Sequence, residues 1–271
     1  MKALHAGLLV IFLVFLVAIF APLLAPFSPE SLAGKPLQSP DKVHWLGTDR
    51  IGQDIFSQLV FGSRVSLLAG AAAAVGATLI GGSLGMAAGF FGGRLDRVLM
   101  RGVDIFIAIP HLPFMLLLAA HFPPSLATTL TVLILFSWAG EARLIRSQVL
   151  SLRQREYMEA ARMAGAGKLY LIQRYLLPEL APLLLTQAVL RCGWGVLAEA
   201  GLAFIGLGDP TQKSWGLMLH YALDYQGIYF TTAWQWWLAP PGLCISILIL
   251  ALTWTGFAME ERWNPTLKEG R

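Results

Sequence analysis

The stretch IFIAIPHLPFMLLLAAHFPPSLATTLTVLILFSWAG, residues 105–140, runs for 36 residues without Asp, Glu, Lys or Arg. About 20 apolar residues suffice to cross the hydrocarbon core of a bilayer. The run is therefore too long for one span. Pro123-Pro124 divides it, because a proline ring removes an amide donor and clashes with the preceding turn. The reading is a helical hairpin over about 98–120 and 125–143, whose first helix takes Asp104 into its opening turns.

Three further charge-free runs flank this one. Ala3–Pro29, Val65–Gly93 and Tyr225–Met259 hold 27, 29 and 35 residues. A fifth apolar stretch, Leu180–Leu207, carries Arg191 and Glu199 and is the weakest on hydropathy. The expected fold is all-α and polytopic, with six transmembrane helices at about 6–26, 66–91, 98–120, 125–143, 180–205 and 238–258. Composition agrees: 56% of residues are hydrophobic and 13% charged, with a mean hydropathy of +0.63. Soluble domains carry about 25% charged residues. Those figures exclude a water-soluble globular enzyme, a disordered chain and a solvent-exposed nucleic-acid binder. The first run exceeds the roughly 7–15 residues of a signal-peptide core, so it reads as a retained span, with cleavage near Ala18 or Ala21 as the alternative.

Orientation follows from where the positive charges sit. Fourteen of the 20 Lys and Arg fall in the N-terminus, 92–101, 140–179 and the C-terminal tail, and five fall in the loops 27–65 and 206–237. The positive-inside bias places both termini and the 140–179 loop in the cytoplasm. Trp234, Trp236 and Trp237 then mark the outer end of the last helix, where an aromatic belt belongs. The chain divides into a first helix with its outer loop (1–65), a core of five spans (66–258) containing the 140–179 loop, and a tail (259–271). The second span is rich in Gly and Ala, which let helix backbones approach closely. A moving interface and static bundle packing are both open readings there. Cys192 and Cys244 lie in apolar segments with no metal-ligand spacing and read as small packing residues.

The cytoplasmic loop reads SLRQREYMEAARMAGAGKLYLIQRYLLPEL over 151–180. Arg153 to Ala164 lacks Pro and Gly and favours helix. Gly165-Ala166-Gly167 bends it, Lys168 to Leu176 forms a second short helix, and Pro178 ends that helix ahead of the next span. Small residues at Ala160, Ala161, Ala164 and Gly165 let such a knob sit deep in a groove on another protein. A membrane-surface helix is the competing reading, but Glu156 and Glu159 interrupt the basic face it prefers.

Glu159-Ala160-Ala161, three residues, Gly165, then Leu177-Pro178 resembles the EAA loop of ABC importer permeases. One departure is Tyr175, where that family usually has Ile. HWLGTDRIGQDIFSQLVFGSRVSL (44–67) and LAEAGLAFIGLGDPTQKSWGLML (197–219) resemble segments of the dipeptide, oligopeptide and nickel branch. That branch usually has Arg at the position of Gln53 and often at that of Gln58. Together the similarity covers most of the chain.

The resemblance implies a subunit of a bacterial or archaeal cytoplasmic membrane that hydrolyses nothing itself. It implies a second, similar permease, two cytoplasmic ATPase subunits that use ATP and Mg, and an external binding protein that delivers a small peptide, nickel or a metal chelate. No cofactor bound by this chain and no nucleic-acid partner is expected. Glu159, Ala160, Ala161, Gly165, Leu177 and Pro178 are the coupling residues it implies. The sequence carries no G-x4-GK[ST] phosphate loop, since GAGK at 165–168 is followed by Leu169. No HExxH or GxSxG motif occurs.

Ionisable groups inside a span face the bundle interior or a cavity. Arg191 and Glu199, two turns apart, are expected to share a face and are candidates for the translocation path, as are Asp104 and His111. A buried structural pair is the other reading for the first two, and a salt bridge or gate for Asp104. His111, His121 and His220 raise a metal site, since imidazole suits nickel. No two lie at i,i+3 or i,i+4, so no local chelate forms and no metal ligand is assigned. An ion-gradient-driven secondary transporter is the alternative function. It would need no docking loop and should show an inverted repeat, which is not detected. An intramembrane enzyme is disfavoured by the missing catalytic constellation.

Overall fold

The computed structural model describes residues 2–263. The expected tail, 259–271, lies outside the described residues from 264 onward. Among the described residues the elements are helices, with two isolated bridges, Leu32 to Gln53 and Thr48 to Asp54.

Helix α1 (Lys2–Ile19) and a single turn, α2 (Ala21–Leu24), open the chain. Leu8, Phe12 and Leu23 are exposed, the outward apolar surface that a lipid-facing helix needs. Residues 25–54 then form a loop closed on buried polar side chains. Asp49 Oδ1 accepts the amides of Ile51 and Gln53, and its Oδ2 accepts Gln58 Nε2 at 2.8 Å. Asp54 caps the next helix through Ser57 N at 2.8 Å, and His44 Nδ1 lies 2.9 Å from its other oxygen.

From Ile55 the chain is helical to Phe91: α3 (Ile55–Val75), a π turn (Gly76–Gly81) and α4 (Gly82–Phe91). The expected span began at 66. At 1.5 Å per residue the 37 residues run about 55 Å, well beyond a roughly 30 Å hydrocarbon core. Gly92 and Gly93, at φ +67° and +62°, turn the chain into α5 (Gly93–Ala108).

The expected single helix over 98–120 is two. Helix α5 ends at Ala108, α6 (His111–His121) begins after Pro110, and the two axes differ by 82°. Pro110 disfavours helix in the residue before it, and Ile109 is extended, with ψ 126°. Pro123-Pro124 separates α6 from α7 as expected, and Ser125 caps α7 (Leu126–Arg153). The expected end at 143 is corrected to Arg153. Charged residues there mark the edge of the apolar run, but Glu and Arg are good helix formers and do not stop a helix. Arg153 then reaches back to the last carbonyls of α4, Gly89 and Phe90.

Helices α8 (Glu156–Met163) and α9 (Lys168–Leu171) form the turn before α10 (Leu177–Phe204). A π turn, Ile172–Leu176, joins α9 to α10 without a break. Pro178 therefore does not end a second helix, as expected, but sits in the first turn of α10. The chain closes with α11 (Trp215–Asp224), α12 (Trp234–Trp237) and α13 (Ala239–Trp263).

Four helical stretches are each long and apolar enough to cross a membrane: Ile55–Phe91, Leu126–Arg153, Lys168–Phe204 and Trp234–Trp263. The bent pair α5–α6 makes a fifth, and Leu4–Ile19 is a shorter apolar helix. Small residues in the second half of the second span face α7, while Gly70 and Ala73 face α10. A Cβ on Gly81 would lie 2.4 Å from Trp138 O, on Gly85 2.4 Å from Ala142 O, and on Gly89 2.7 Å from Val149 Cβ. At the end opposite α8, Asp209 Oδ2 accepts the Leu126 amide at 2.9 Å, tying the α10–α11 connection to the start of α7. Burial raises the Asp209 pKa, but hydrogen bonds from Thr211 and Leu126 outweigh it and leave the carboxyl below its ordinary value. This tie is present above the ordinary carboxylate pKa and weakens as pH falls through the lowered one.

Candidate coupling turn and intramembrane ion pair

The α8–α9 turn stands on an apolar base. Met158, Leu171 and Leu176 are buried against Phe90, Ile145, Val149 and Leu152 from α4 and α7. Gly165 adopts φ +85°, its amide donates to Arg162 O, and the Ala166 amide donates to Ala161 O, each at 3.0 Å. This pair of bonds is the Schellman cap, which requires a left-handed residue and selects glycine. The cap ends α8 and turns the chain so that one face is anchored and the other is free.

The free face carries Glu159, Ala160 and Gly165 together with Met163, Leu169 and Tyr170. Met163 is 91% exposed, a large apolar side chain held in solvent on a rigid turn. The other expected coupling residues are placed differently. Ala161 packs on the apolar base, and Leu177 and Pro178 are exposed at the start of α10. Tyr175, the departure from the family pattern, stacks on Tyr157 at 5.9 Å and meets Tyr170 edge-on at 6.1 Å. Replacing it with the usual residue, Tyr175→Ile, should lower stability by about 1 kcal/mol through the lost ring contacts. A thermal melt of the purified protein checks this.

Inside the bundle, Arg191 and Glu199 do not share a neighbour. Eight residues advance a helix by about 80° past two full turns. Arg191 turns toward α7, where its Nε lies 3.6 Å from Glu141 Oε2. Glu199 is buried and turns toward Ser66 of α3, at 3.5 Å, and Ser214 ahead of α11. Glu199 thus ties three elements together. Asp104 lies on α5 and pairs with Arg143, with both side chains about half exposed. Such pairs contribute about 0–1 kcal/mol, so Asp104→Asn should leave the melting transition nearly unchanged. His111 opens α6 with its ring 5.7 Å from Phe136, while His220 Nδ1 bonds Phe204 O at 2.8 Å. His121 meets Phe122 edge-on at the end of α6. The three histidines come from separate contacts, and among the described residues no three His, Cys, Asp or Glu group as metal ligands.

Two features escaped the sequence reading. Glu141 directly follows a charge-free run and reads as its boundary; it is a buried partner of Arg191. Gln53 and Gln58, the other departures from the family pattern, belong to one polar cluster. Gln53 accepts Lys213 Nζ at 2.9 Å and donates to Glu30 O, and Gln58 donates to Asp49. Lys213 thus carries positive charge beside Gln53 and Asp49. Burial lowers the Lys213 pKa, and the Asp49 and Glu30 carboxylates oppose that shift.

A bundle of long apolar helices, carrying a capped and solvent-facing turn at one end, is the architecture of a polytopic transport permease. The chain belongs to the binding-protein-dependent transport system inner membrane component family, the permeases of ABC importers, which it matches over residues 81–267. Residues 2–41 match the N-terminal TM domain of oligopeptide transport permease C. The chain is 33% identical to the dipeptide transport system permease protein DppC of Bacillus subtilis, over 98% of this chain and 83% of that one. It is 35% identical to the nickel transport system permease protein NikC of Escherichia coli, over 96% of this chain and 93% of that one. It is 34% identical to DppC of Alkalihalophilus pseudofirmus, over 97% and 85% respectively.

Proposed function

We propose that the chain forms half of the translocation pathway of an ATP-driven importer. The observation that carries this reading is the α8–α9 turn, whose apolar base is locked to α4 and α7 while Glu159, Ala160, Met163 and Gly165 remain free. A rigid knob of this kind transmits displacement from a docked partner directly into the helices it stands on. The partners are a second permease of the same family, two ATPase subunits that use ATP and Mg and each receive one knob, and an external binding protein. The knob faces the cytoplasm, where the positive charges concentrate, and both termini lie on that side. The cargo is a small peptide, nickel or a metal chelate, in line with the names of its relatives. No cofactor is held by this chain in the proposed cycle, and ATP hydrolysis belongs to the partner subunits.

Affinity purification of the chain from its own membrane should bring down a second permease and an ATP-hydrolysing subunit. Vesicles containing the assembly and supplied with the binding protein should accumulate solute only with ATP. Uptake driven by an ion gradient without ATP would overturn the reading.

A further inference from the structure

Glu141 is the least satisfied buried group among the described residues. Its side chain is 1% exposed, and neither carboxylate oxygen has a hydrogen-bond partner. A Cβ on Gly81 would lie 2.8 Å from Glu141 Cβ, so the π turn packs tightly against the start of its side chain. Arg191 faces it from α10, with Nε 3.6 Å from Oε2, an ion-pair distance too long for a hydrogen bond. The Arg191 side chain is 29% exposed. A Cβ on Gly140 would come within 3.2 Å of Nη2, so the bare backbone there makes room for the guanidinium.

A guanidinium has five N–H donors in a fixed fork. Glu141 Oε2 stands off the Nε atom at 3.6 Å, and among the described residues no acceptor is hydrogen-bonded to the Nη1–Nη2 end. A charged group in a span does not point into lipid but into the bundle or a watered cavity. The open end of the fork matches a carboxylate in the two-bond geometry that arginine favours.

We propose that Arg191 is a carboxylate-binding subsite on the translocation path. Glu141 positions the Nε side of the guanidinium, and the Nη1–Nη2 end takes a carboxylate of the passing solute. This rests on the importer reading above and adds the chemical class of the cargo. A free peptide C-terminus and the carboxylates of a metal-chelating acid share that chemistry.

The test uses the complete importer in vesicles, with its partner permease, ATPase subunits and binding protein. Uptake of radiolabelled dialanine and of nickel citrate is measured for the wild type and for R191Q, R191K, E141Q and the double variant E141Q/R191Q. R191Q should lower the maximal uptake rate of at least one probe by about tenfold or more, the loss expected for a hydrogen bond to a charged group. The half-saturating concentration and the stimulation of ATP hydrolysis by the binding protein should stay as in the wild type, while the melting transition falls because Glu141 loses its ion-pair partner. The double variant should transport no better than R191Q. Loss for one probe alone identifies the source of the carboxylate.

R191Q transporting both probes at the wild-type rate overturns the proposal. So does a double variant that recovers the uptake each single variant loses, because a purely structural pair is relieved when both charges go. Where R191Q fails to assemble, R191K carries the test: a lysine cannot form the fork and should slow uptake several-fold, and a wild-type rate overturns the subsite. Wild-type vesicles that take up neither probe, and whose ATP hydrolysis ignores the binding protein, overturn the importer reading itself.

Discussion

Gly165→Asp should abolish coupled uptake, lowering it by at least about tenfold, while the protein still folds and inserts. A Cβ on Gly165 meets nothing within 4 Å, so the new side chain has room. Its cost is the left-handed backbone at φ +85°, about 1 kcal/mol for an L residue. That is small beside the apolar base holding the turn. The consequence falls on the exposed face, where a carboxylate and added bulk would stand at the tip of the knob. Gly165→Asn separates the causes, because asparagine tolerates the left-handed conformation and carries no charge. Asn should keep most of the uptake that Asp removes. Unchanged uptake with Asp in a reconstituted complex would remove the turn from the coupling path.

The second large effect is on the fold itself. Gly85→Leu should prevent α4 from seating on α7, because the Cβ alone would lie 2.4 Å from Ala142 O and 3.0 Å from Ile145 Cβ. Overpacking a core contact costs about 1–3 kcal/mol when neighbours yield. Here the obstacle is helix backbone, which does not yield without parting the helices. The expected result is a loss of monodisperse protein after detergent extraction, seen by size exclusion, with a lowered melting transition in what remains. Gly102→Ala is the control. A Cβ there meets nothing within 4 Å, so folding should be unaffected. Normal yield and melting for Gly85→Leu would show that the glycine stripe is not the seat of that helix pair.

The helical bundle was legible because lipid leaves a chain little choice. Backbone polar groups in hydrocarbon must bond within their own segment, so each charge-free run implies a helix. Helix ends were less legible. α3 starts at Ile55, α7 runs to Arg153, and the helix leading into α10 starts at Lys168. Each extends past its apolar stretch, because the edge of a charge-free run reports where lipid stops rather than where hydrogen bonding stops. The break at Pro110 turns α6 by 82° from α5, and Met115 and Ala119 of α6 are buried with Val132, Leu133 and Phe136 of α7, a contact between helices that neither stretch encodes alone. The α8–α9 turn was the most legible part of the candidate site. Its Gly165 cap and the bonds it closes are local, within six residues.

The sequence by itself therefore determined the membrane class, the hairpin split at Pro123-Pro124 and the capped turn, since apolar run length and local backbone geometry act over short stretches. Only the tertiary structure decided which face each intramembrane charge presents. It turned Arg191 toward Glu141 and Glu199 toward Ser66 and Ser214. The approach of α7 and α10 sets that pairing, and it depends on rotations and distances between helices that no stretch of either one encodes alone.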